Sequence, residues 1–476
     1  MSRLGFIYLR MSLLGLLVLS GPFCLRAQDQ PDESKPQPAA KSLPGMPDSS
    51  QDDTNGTPWT ADTGPLTGMQ TPTLGHPELK HSYWAPGVIY GLTVQKGPSG
   101  GSSNGWYANN YFGGNVSLLE EKSRSELALN FTGGGFVSSG GGQNNGWFSQ
   151  LALAQTYNWQ RLQLQVFDQF AYLPETQSGF GGGTGLGVPG IGGSLGPPVT
   201  GIGGPVTPGG NTIYAATGPR YSNSVVVQAT YQLSRRGSFT IGGSDGILRF
   251  TQSGNIDSDT YFANLGYNYQ LTKEDTVGLQ YRFTSIHYTG IDQAYGDHTF
   301  SVAYGRKITQ RLALQLFGGP ELTTYRVPVA NQTQRLTGSA SANLAYGLQN
   351  GAISLSYFHG LSSGGGVLIG SNIDNFTLSY DRRLTRLWSA HMMFGYARNS
   401  PIEVQGGTAS SPYNDWLIGA GFNRPTGRNA MFDLAYTARI ETTNQAGCVG
   451  SGCYTGFTEH MLTMSLQWHT HPFVLP

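Results

Sequence analysis

The sequence has few charged residues and no long apolar segment inside the chain, and each of these absences excludes a class of protein. Charged residues make up 12% of the chain, about half of the ~25% that is usual for globular domains. No internal run reaches the ~18 apolar residues of a membrane-spanning helix, so hydropathy excludes a helical membrane protein. If this chain crosses a bilayer, it has to do so as a closed barrel of strands.

The sequence also lacks the motifs that mark enzymes and cofactor sites. His469 and His471 share one face of a strand, but no third metal ligand lies near them in the sequence. The glycines of "GFGGGTGLG", residues 179–187, have dinucleotide-like spacing without the helix and the downstream acid that such a site needs. No nucleophile elbow is present. We therefore predict no enzymatic activity, no catalytic, cofactor-binding or metal-binding residues, and no nucleic-acid partner.

Cysteine is rare, with three residues in the whole chain. Cys448 and Cys453 stand in "CVGSGC" between two predicted strands, without a histidine or carboxylate cluster beside them. In an exported protein such a pair favours a disulfide that closes a loop, and a metal site is the alternative. Cys24 could mark a lipoprotein signal, but the bulky Phe23 precedes it where such signals have a small residue.

The first 84 residues are predicted to lie outside the main domain. Arg3 and Arg10 precede an apolar segment, and small residues up to Ala27 follow it, which predicts a secretory signal peptide over residues 1–27. Residues 28–84 are rich in Pro, Ser, Thr and Asp and have little periodicity. This composition predicts a disordered, acidic tail.

From about residue 85 the pattern changes to strict alternation. In "NLGYNYQLTKEDTVGLQYRF", residues 264–283, the apolar and aromatic side chains of each half share one face, and Gly, Asn, Gln and Arg fill the other face. A period of two indicates β-strands, and "TKED" is then the turn of a hairpin. The same layout recurs to the end of the chain and predicts an all-β, antiparallel, up-and-down fold with about 18 strands, or about 16 if the first pair is wrong.

Aromatic residues precede most of the short turns. We expect them to form a belt at one edge of the sheet: Tyr157, Tyr231, Tyr269, Tyr304, Tyr346, Tyr380 and Phe422. Short and long connections are predicted to alternate strictly. The longest connection, residues 173–220, is rich in Gly and Pro.

In these respects the chain resembles bacterial outer-membrane β-barrel proteins of the porin-like kind over residues 85–476. The resemblance implies short periplasmic turns, long external loops, apolar outer faces and polar inner faces. It also implies a location in the outer membrane, with the tail in the periplasm, and membrane lipids and the barrel-assembly machinery as partners. A soluble β-propeller is the alternative fold, although its blades would need four short strands each.

The function is predicted from the polar residues opposite the apolar faces. The candidate lumen-facing residues are Gln165, Gln280, Arg282, Gln315, Asp433, Arg439 and Gln467. A barrel of this size leaves an aqueous channel unless it is plugged. We therefore expect a passive or weakly selective channel for small hydrophilic solutes. A barrel that only displays its loops, as an adhesin or scaffold, is the alternative, and an outer-membrane enzyme comes third.

Charge placement refines this expectation. Basic residues gather at the short turns, as in Arg235, Arg236 and Lys273, whereas acids prevail in the strand bodies and long loops. This distribution predicts a basic periplasmic rim, where the acidic tail docks at low salt, and a channel with mild cation preference. Loop 173–220 is predicted either to narrow the lumen or to extend outside. The sequence does not indicate an oligomeric state.

Overall fold

The computed structural model describes most of the predicted barrel and short pieces of the segment before it. The described residues are 60–61, 66–67, 74–75, 82–96, 106–139, 145–173, 219–251, 255–309, 311–364, 368–402, 412–427, 429–443 and 456–475. All of them belong to one compact unit, Ser42–Pro476. The signal peptide 1–27, most of loop 173–220 and the pair Cys448 and Cys453 lie outside the described residues, so these three stay predictions.

Antiparallel strands make up nearly all of the described chain. Two short strands, β1 Thr60–Ala61 and β2 Leu74–Gly75, pair with each other. The long strands are β3 Tyr83–Lys96, β4 Trp106–Lys122, β5 Ser125–Ser139, β6 Gly146–Asn158, β7 Leu162–Leu173, β8 Arg220–Gln232, β9 Gly237–Phe250, β10 Ser258–Gln270, β11 Asp275–Tyr288, β12 Ala294–Thr309, β13 Leu312–Val329, β14 Gln332–Leu348, β15 Gly351–Ser362, β16 Ser371–Arg383, β17 Ser389–Pro401, β18 Tyr413–Pro425, β19 Ala430–Thr443 and β20 Phe457–His469. A last short strand, β21 Phe473–Val474, pairs with β3.

The long strands form one closed barrel. Each pairs with its neighbours in sequence, and β20 returns to β3, with His460 opposite Lys96 and His469 opposite Gly87. The prediction of about 18 antiparallel strands is confirmed, and the alternative of a β-propeller is wrong because one continuous sheet closes on itself. Within the described residues, no helix has the length and apolar character needed to span a membrane.

The alternating side chains separate onto an outer and an inner face. In the β10–β11 hairpin, Leu265 is 41% exposed and Leu279 is 63% exposed, whereas Asn264 and Asn268 are 2% and 4% exposed. Leu265 lies opposite Tyr281 and Asn264 opposite Arg282, so each cross-strand row keeps one polarity. A sheet closed in this way presents its apolar rows outward, as a lipid-facing barrel requires.

The predicted belt residues lie on the outer face near the short turns. Tyr231, Tyr269, Tyr346 and Phe422 are exposed, while Tyr157, Tyr304 and Tyr380 are half-buried. The hydroxyl of Tyr304 donates to Asp275 Oδ1 at 2.8 Å, which places its polar end at the turn. A ring with one apolar end and one hydrogen-bonded end suits a membrane interface.

The outer face also carries polar pairs among its apolar residues. Asn223 Nδ2 donates to Asp168 Oδ1 at 2.8 Å, and Arg249 binds Asp259 through Nη2 at 2.6 Å. The side chain of Asp168 lies outward because its neighbour Phe167 is buried on the inner face. These groups partner each other, which lowers the cost of placing polar atoms on a lipid-facing surface.

The prediction that short and long connections alternate strictly is wrong at two places. β11 and β12 are joined by residues 289–293, a connection no longer than the short turn 384–388. β13 and β14 are joined by two residues only, Ala330 and Asn331, whose φ angles are 49° and 64°. Two successive positive φ values define a type I′ turn, whose twist matches that of the flanking strands. The sequence did not reveal this turn because it lacks the glycine that usually marks it.

Part of the segment predicted as a disordered tail is ordered. Leu66 and Thr67 are buried, and β1 and β2 form a short ladder. β3 also begins at Tyr83, slightly before the predicted boundary at residue 85. The hydrogen bonds of Thr67, described below, explain why this part of the segment has a defined position.

Candidate functional site

The candidate lumen-facing residues lie on the face opposite the exposed apolar side chains. Gln228 Nε2 donates to Gln165 Oε1 at 3.2 Å, and Gln280 Nε2 donates to Asn264 Oδ1 at 2.7 Å. Gln315 stands opposite Gly305 in the ladder, and Gln467 stands opposite Met431. The structure thus places amide side chains on the inner wall, where each can bond either a neighbour or water.

A charged cluster lies near the long-loop end of the inner wall. Arg439 on β19 donates through Nε to Asp415 Oδ1 at 2.9 Å and through Nη2 to Glu441 Oε2 at 3.0 Å. All three side chains are buried. On the neighbouring strands, Gln95 Nε2 donates to Glu459 Oε1. Counting Glu459, this cluster holds three carboxylates and one guanidinium, so its net charge is negative.

A second charged cluster lies on β11 to β14. Arg282, Thr299 and Glu321 stand in one cross-strand row, and Asp297 lies next to it. Asp297 accepts from the hydroxyls of Thr299 at 2.9 Å and Thr323 at 3.5 Å.

The carboxylate of Glu321 belongs to this cluster. The side chain is 1% exposed, and it stands close enough to Asp297 and Arg282 for their charges to act on it. Asp297 and Glu321 are two carboxylates beside the single guanidinium of Arg282.

A third polar group lies nearer the short-turn end. Asn423, Asp433 and Ser465 stand in one row across β18, β19 and β20. The ring of His391 lies over Gly421, where no Cβ intervenes. Within the described residues, Asn423 Oδ1, Asp433 Oδ2, Ser465 Oγ and both ring nitrogens of His391 lack hydrogen-bond partners. Buried polar atoms of this kind normally pair with water or another polar group.

One sector of the inner wall is apolar, which the sequence analysis did not predict. Ile89, Tyr111, Phe136 and Phe148 form a buried cluster on β3 to β6, with ring centroids of Tyr111 and Phe148 5.8 Å apart. A second cluster continues through Phe167, Val226 and Phe262. The sequence "WYANNYFGG" contains a sign of this apolar sector, since Tyr107 and Tyr111 share a face with Asn109. It could not be recognised as such because aromatic residues occur on both faces of these strands.

A connection at the long-loop end is held against the inner wall. Tyr288 donates to the carbonyl of Ser363 at 3.0 Å, and Tyr295 donates to the carbonyl of Ile369 at 2.8 Å. Ile369 also packs in an apolar cluster with both tyrosines. The described parts of the connection between β15 and β16, residues 363–364 and 368–370, therefore border the lumen. The two alternatives for loop 173–220 stay predictions.

Acids exceed bases on the inner wall of the described strands. The carboxylates away from the turns are Asp297, Glu321, Asp415, Asp433, Glu441 and Glu459, and the bases are Arg220, Arg282, Arg335 and Arg439. Among the described residues, no group of three or more His, Cys, Asp or Glu side chains is arranged to hold a metal ion. The described part of the inner wall therefore carries excess negative charge.

Comparisons with known proteins found similarity only among solved structures. No protein-family model matches the chain, and no curated protein matches it. OccK5 (OpdH) of Pseudomonas aeruginosa is 12% identical, with 81% of this chain and 98% of that chain covered and a TM-score of 0.41. OccK2 (OpdF) of the same organism is 11% identical over 82% and 98%, with a TM-score of 0.43.

The outer-membrane protein opdK, also from Pseudomonas aeruginosa, is 10% identical over 81% of this chain and 99% of that chain, with a TM-score of 0.41.

The class of the protein follows from its own architecture. The exposed side chains of the outer face are mainly apolar and aromatic, and the inner face carries amides, hydroxyls and charges. Every long strand pairs on both sides, so no backbone edge faces lipid. The chain is a closed antiparallel barrel of 18 long strands with the apolar exterior of a lipid-facing barrel.

Proposed function

We propose that the barrel is a passive or weakly selective channel for small hydrophilic solutes, with a mild preference for cations. The observation that carries this proposal is an inner wall with amides, hydroxyls and charges between its apolar clusters, inside a closed barrel with an apolar exterior. Barrels with this many strands are too wide for their own side chains to fill completely. Solutes that bond amides and hydroxyls can replace the water on such a wall.

The cation preference is argued from the charged clusters. Arg439 pairs with Asp415 and Glu441, and Glu459 is a third carboxylate whose charge acts on the same guanidinium, so three acids surround one base. Arg282 faces both Asp297 and Glu321. Fixed negative charge inside a narrow passage raises the local concentration of cations, and dissolved salt screens it.

Recording from single molecules in planar bilayers tests this function. The refolded mature chain is expected to give discrete conductance steps, and a salt gradient is expected to give a reversal potential of the sign of a cation-selective pore. The selectivity should fall as the mean salt concentration rises. Absence of conductance from protein with a folded, heat-stable barrel would contradict the channel.

A surface-display function is the second candidate, and the β13–β14 hairpin favours it. The hairpin extends past the end of β12, where Arg326 Nη2 approaches Asp292 Oδ1 at 3.3 Å. Val327 and Leu336 on this hairpin are exposed. Shortening the hairpin by residues 327–334 should leave conductance unchanged, and loss of cell-surface binding without loss of conductance would support display.

A further inference from the structure

Leu66 and Thr67 lie inside the barrel, apart in sequence from every strand that surrounds them. Thr67 is 0% exposed and bonds side chains on β9, β10 and β11. These residues belong to the segment that precedes β3, yet β4 to β9 separate β3 from β10 around the barrel. The segment therefore meets a wall well away from the point where the chain enters the sheet.

All three polar groups of Thr67 are bonded to the inner wall. Its N–H donates to Asn268 Oδ1 at 2.9 Å, and its carbonyl accepts from Asn264 Nδ2 at 2.8 Å and from Gln280 Nε2 at 3.4 Å. Its hydroxyl lies 2.7 Å from the hydroxyl of Thr240. Amide side chains that together pair both the N–H and the C=O of one residue recognise peptide backbone in particular.

Glycines on three neighbouring strands make room for the two residues. A Cβ at Gly266 would overlap the hydroxyl of Thr67, and a Cβ at Gly278 would lie 2.8 Å from Thr67 Cγ2. A Cβ at Gly305 would lie 3.0 Å from Leu66 Cδ1. The inner wall is therefore shaped for the segment as well as bonded to it.

We propose that Thr240, Asn264, Asn268 and Gln280 form a peptide-binding site that the chain's own Leu66–Thr67 occupies, and that the bound segment narrows the channel. The narrowing rests on the proposed channel function, whereas occupancy of the site does not. The ligand is neutral backbone and hydroxyl, so the contact differs from the salt-dependent docking at the basic rim that the sequence suggested. A peptide with the same backbone pattern would compete for the site.

Disulfide trapping tests occupancy without any measurement of transport. In a Cys448→Ser, Cys453→Ser background, Thr67→Cys with Thr240→Cys should crosslink under mild oxidation, because the two hydroxyls are 2.7 Å apart and disulfides need a close Cβ pair. Thr463→Cys on β20 replaces Thr240→Cys in the control. Equal trapping by both pairs, or none by the first, would overturn the site.

Conductance tests the narrowing. Gly266→Ala places a Cβ on the Thr67 hydroxyl, and we expect the open-pore conductance to rise about twofold or more as the segment leaves the lumen. Gly338→Ala is the matched control, since a Cβ there meets nothing within 4 Å. Thr67→Trp should raise conductance as well, and it alters no barrel strand, so it keeps the test valid if Gly266→Ala does not fold.

The outcomes separate the two proposals. Trapping of Thr67 in a protein that never conducts would refute the channel and keep the peptide site. Conductance that stays the same in Gly266→Ala, in Thr67→Trp and in the trapped Thr67–Thr240 crosslink would overturn the narrowing. A trapped form that conducts less than its reduced form supports it.

Discussion

Two walls of the lumen are built in opposite ways. The wall centred on β10 holds Thr67 through neutral groups only, its amides and hydroxyls. The wall centred on β19 is charged, with Arg439 between Asp415 and Glu441. The two strands face each other across the barrel, since β11 to β18 lie between them on one side and β20 with β3 to β9 on the other.

The difference teaches which wall can change its contacts. A neutral hydrogen bond contributes about 0.5–1.5 kcal/mol net because water replaces it readily. Removing one partner of a buried ion pair costs about 3–5 kcal/mol because the other charge is left without compensation. The β10 wall is therefore suited to exchange its peptide ligand for a solute, while the β19 wall is a permanent part of the barrel.

The largest effect is expected at Arg439. Arg439→Met leaves Asp415 and Glu441 buried without their cation and should lower the free energy of unfolding by about 3–5 kcal/mol. Urea unfolding of the refolded barrel, followed by tryptophan fluorescence, measures this. Arg311→Met at an exposed turn is the control, with a change of about 0.5 kcal/mol or less. Equal effects of the two substitutions would contradict the distinct character of the β19 wall.

A smaller effect is expected on the neutral wall. Asn264→Leu removes the shorter of the two hydrogen bonds to the Thr67 carbonyl and the acceptor for Gln280. We expect a loss of about 1–3 kcal/mol in the same unfolding assay, together with weaker trapping of Thr67. A loss as large as that of Arg439→Met would show that the peptide contact is structural and cannot be exchanged.

Glu321 links the charged cluster on β11 to β14 to ion selectivity. Glu321→Gln removes one of the two lumenal carboxylates near Arg282 and leaves Asp297 as its counterion, so the cation preference should fall while stability changes little. The reversal potential in a salt gradient measures this fall. Glu120→Gln, which removes an exposed partner of Lys122 at a short turn, is expected to change selectivity less. A larger change of selectivity in Glu120→Gln than in Glu321→Gln would place the selective region at the short turn.

The smallest effect is expected from salt on the neutral wall. Raising ionic strength from about 0.1 to about 1 M shortens the screening length from ~10 to ~3 Å, which weakens charge effects only. The yield of the Thr67–Thr240 crosslink should stay constant over this range, while the cation preference falls. A crosslink yield that drops with salt would indicate that charged residues, such as those of the turns, hold the segment.

The sequence by itself determined the strands, their number and their two faces. Alternation is a local property with a period of two. Leu265 and Asn264 can therefore be assigned to opposite faces from the sequence of their own strand, without information on the neighbouring strands. The aromatic residues before the turns are equally local, and Tyr269 lies on the outer face where it was expected. These features follow from backbone geometry within one strand or one hairpin.

Only the tertiary structure decided which inner-wall residues meet and what else enters the lumen. Arg439 binds Asp415 on a neighbouring strand, and Thr67 binds Asn264 across a separation of 197 residues. Closure of the sheet and the register of every ladder set these meetings, and both depend on the whole barrel. The composition of residues 28–84 indicated disorder because a segment's own residues carry no information about a binding site that distant strands provide.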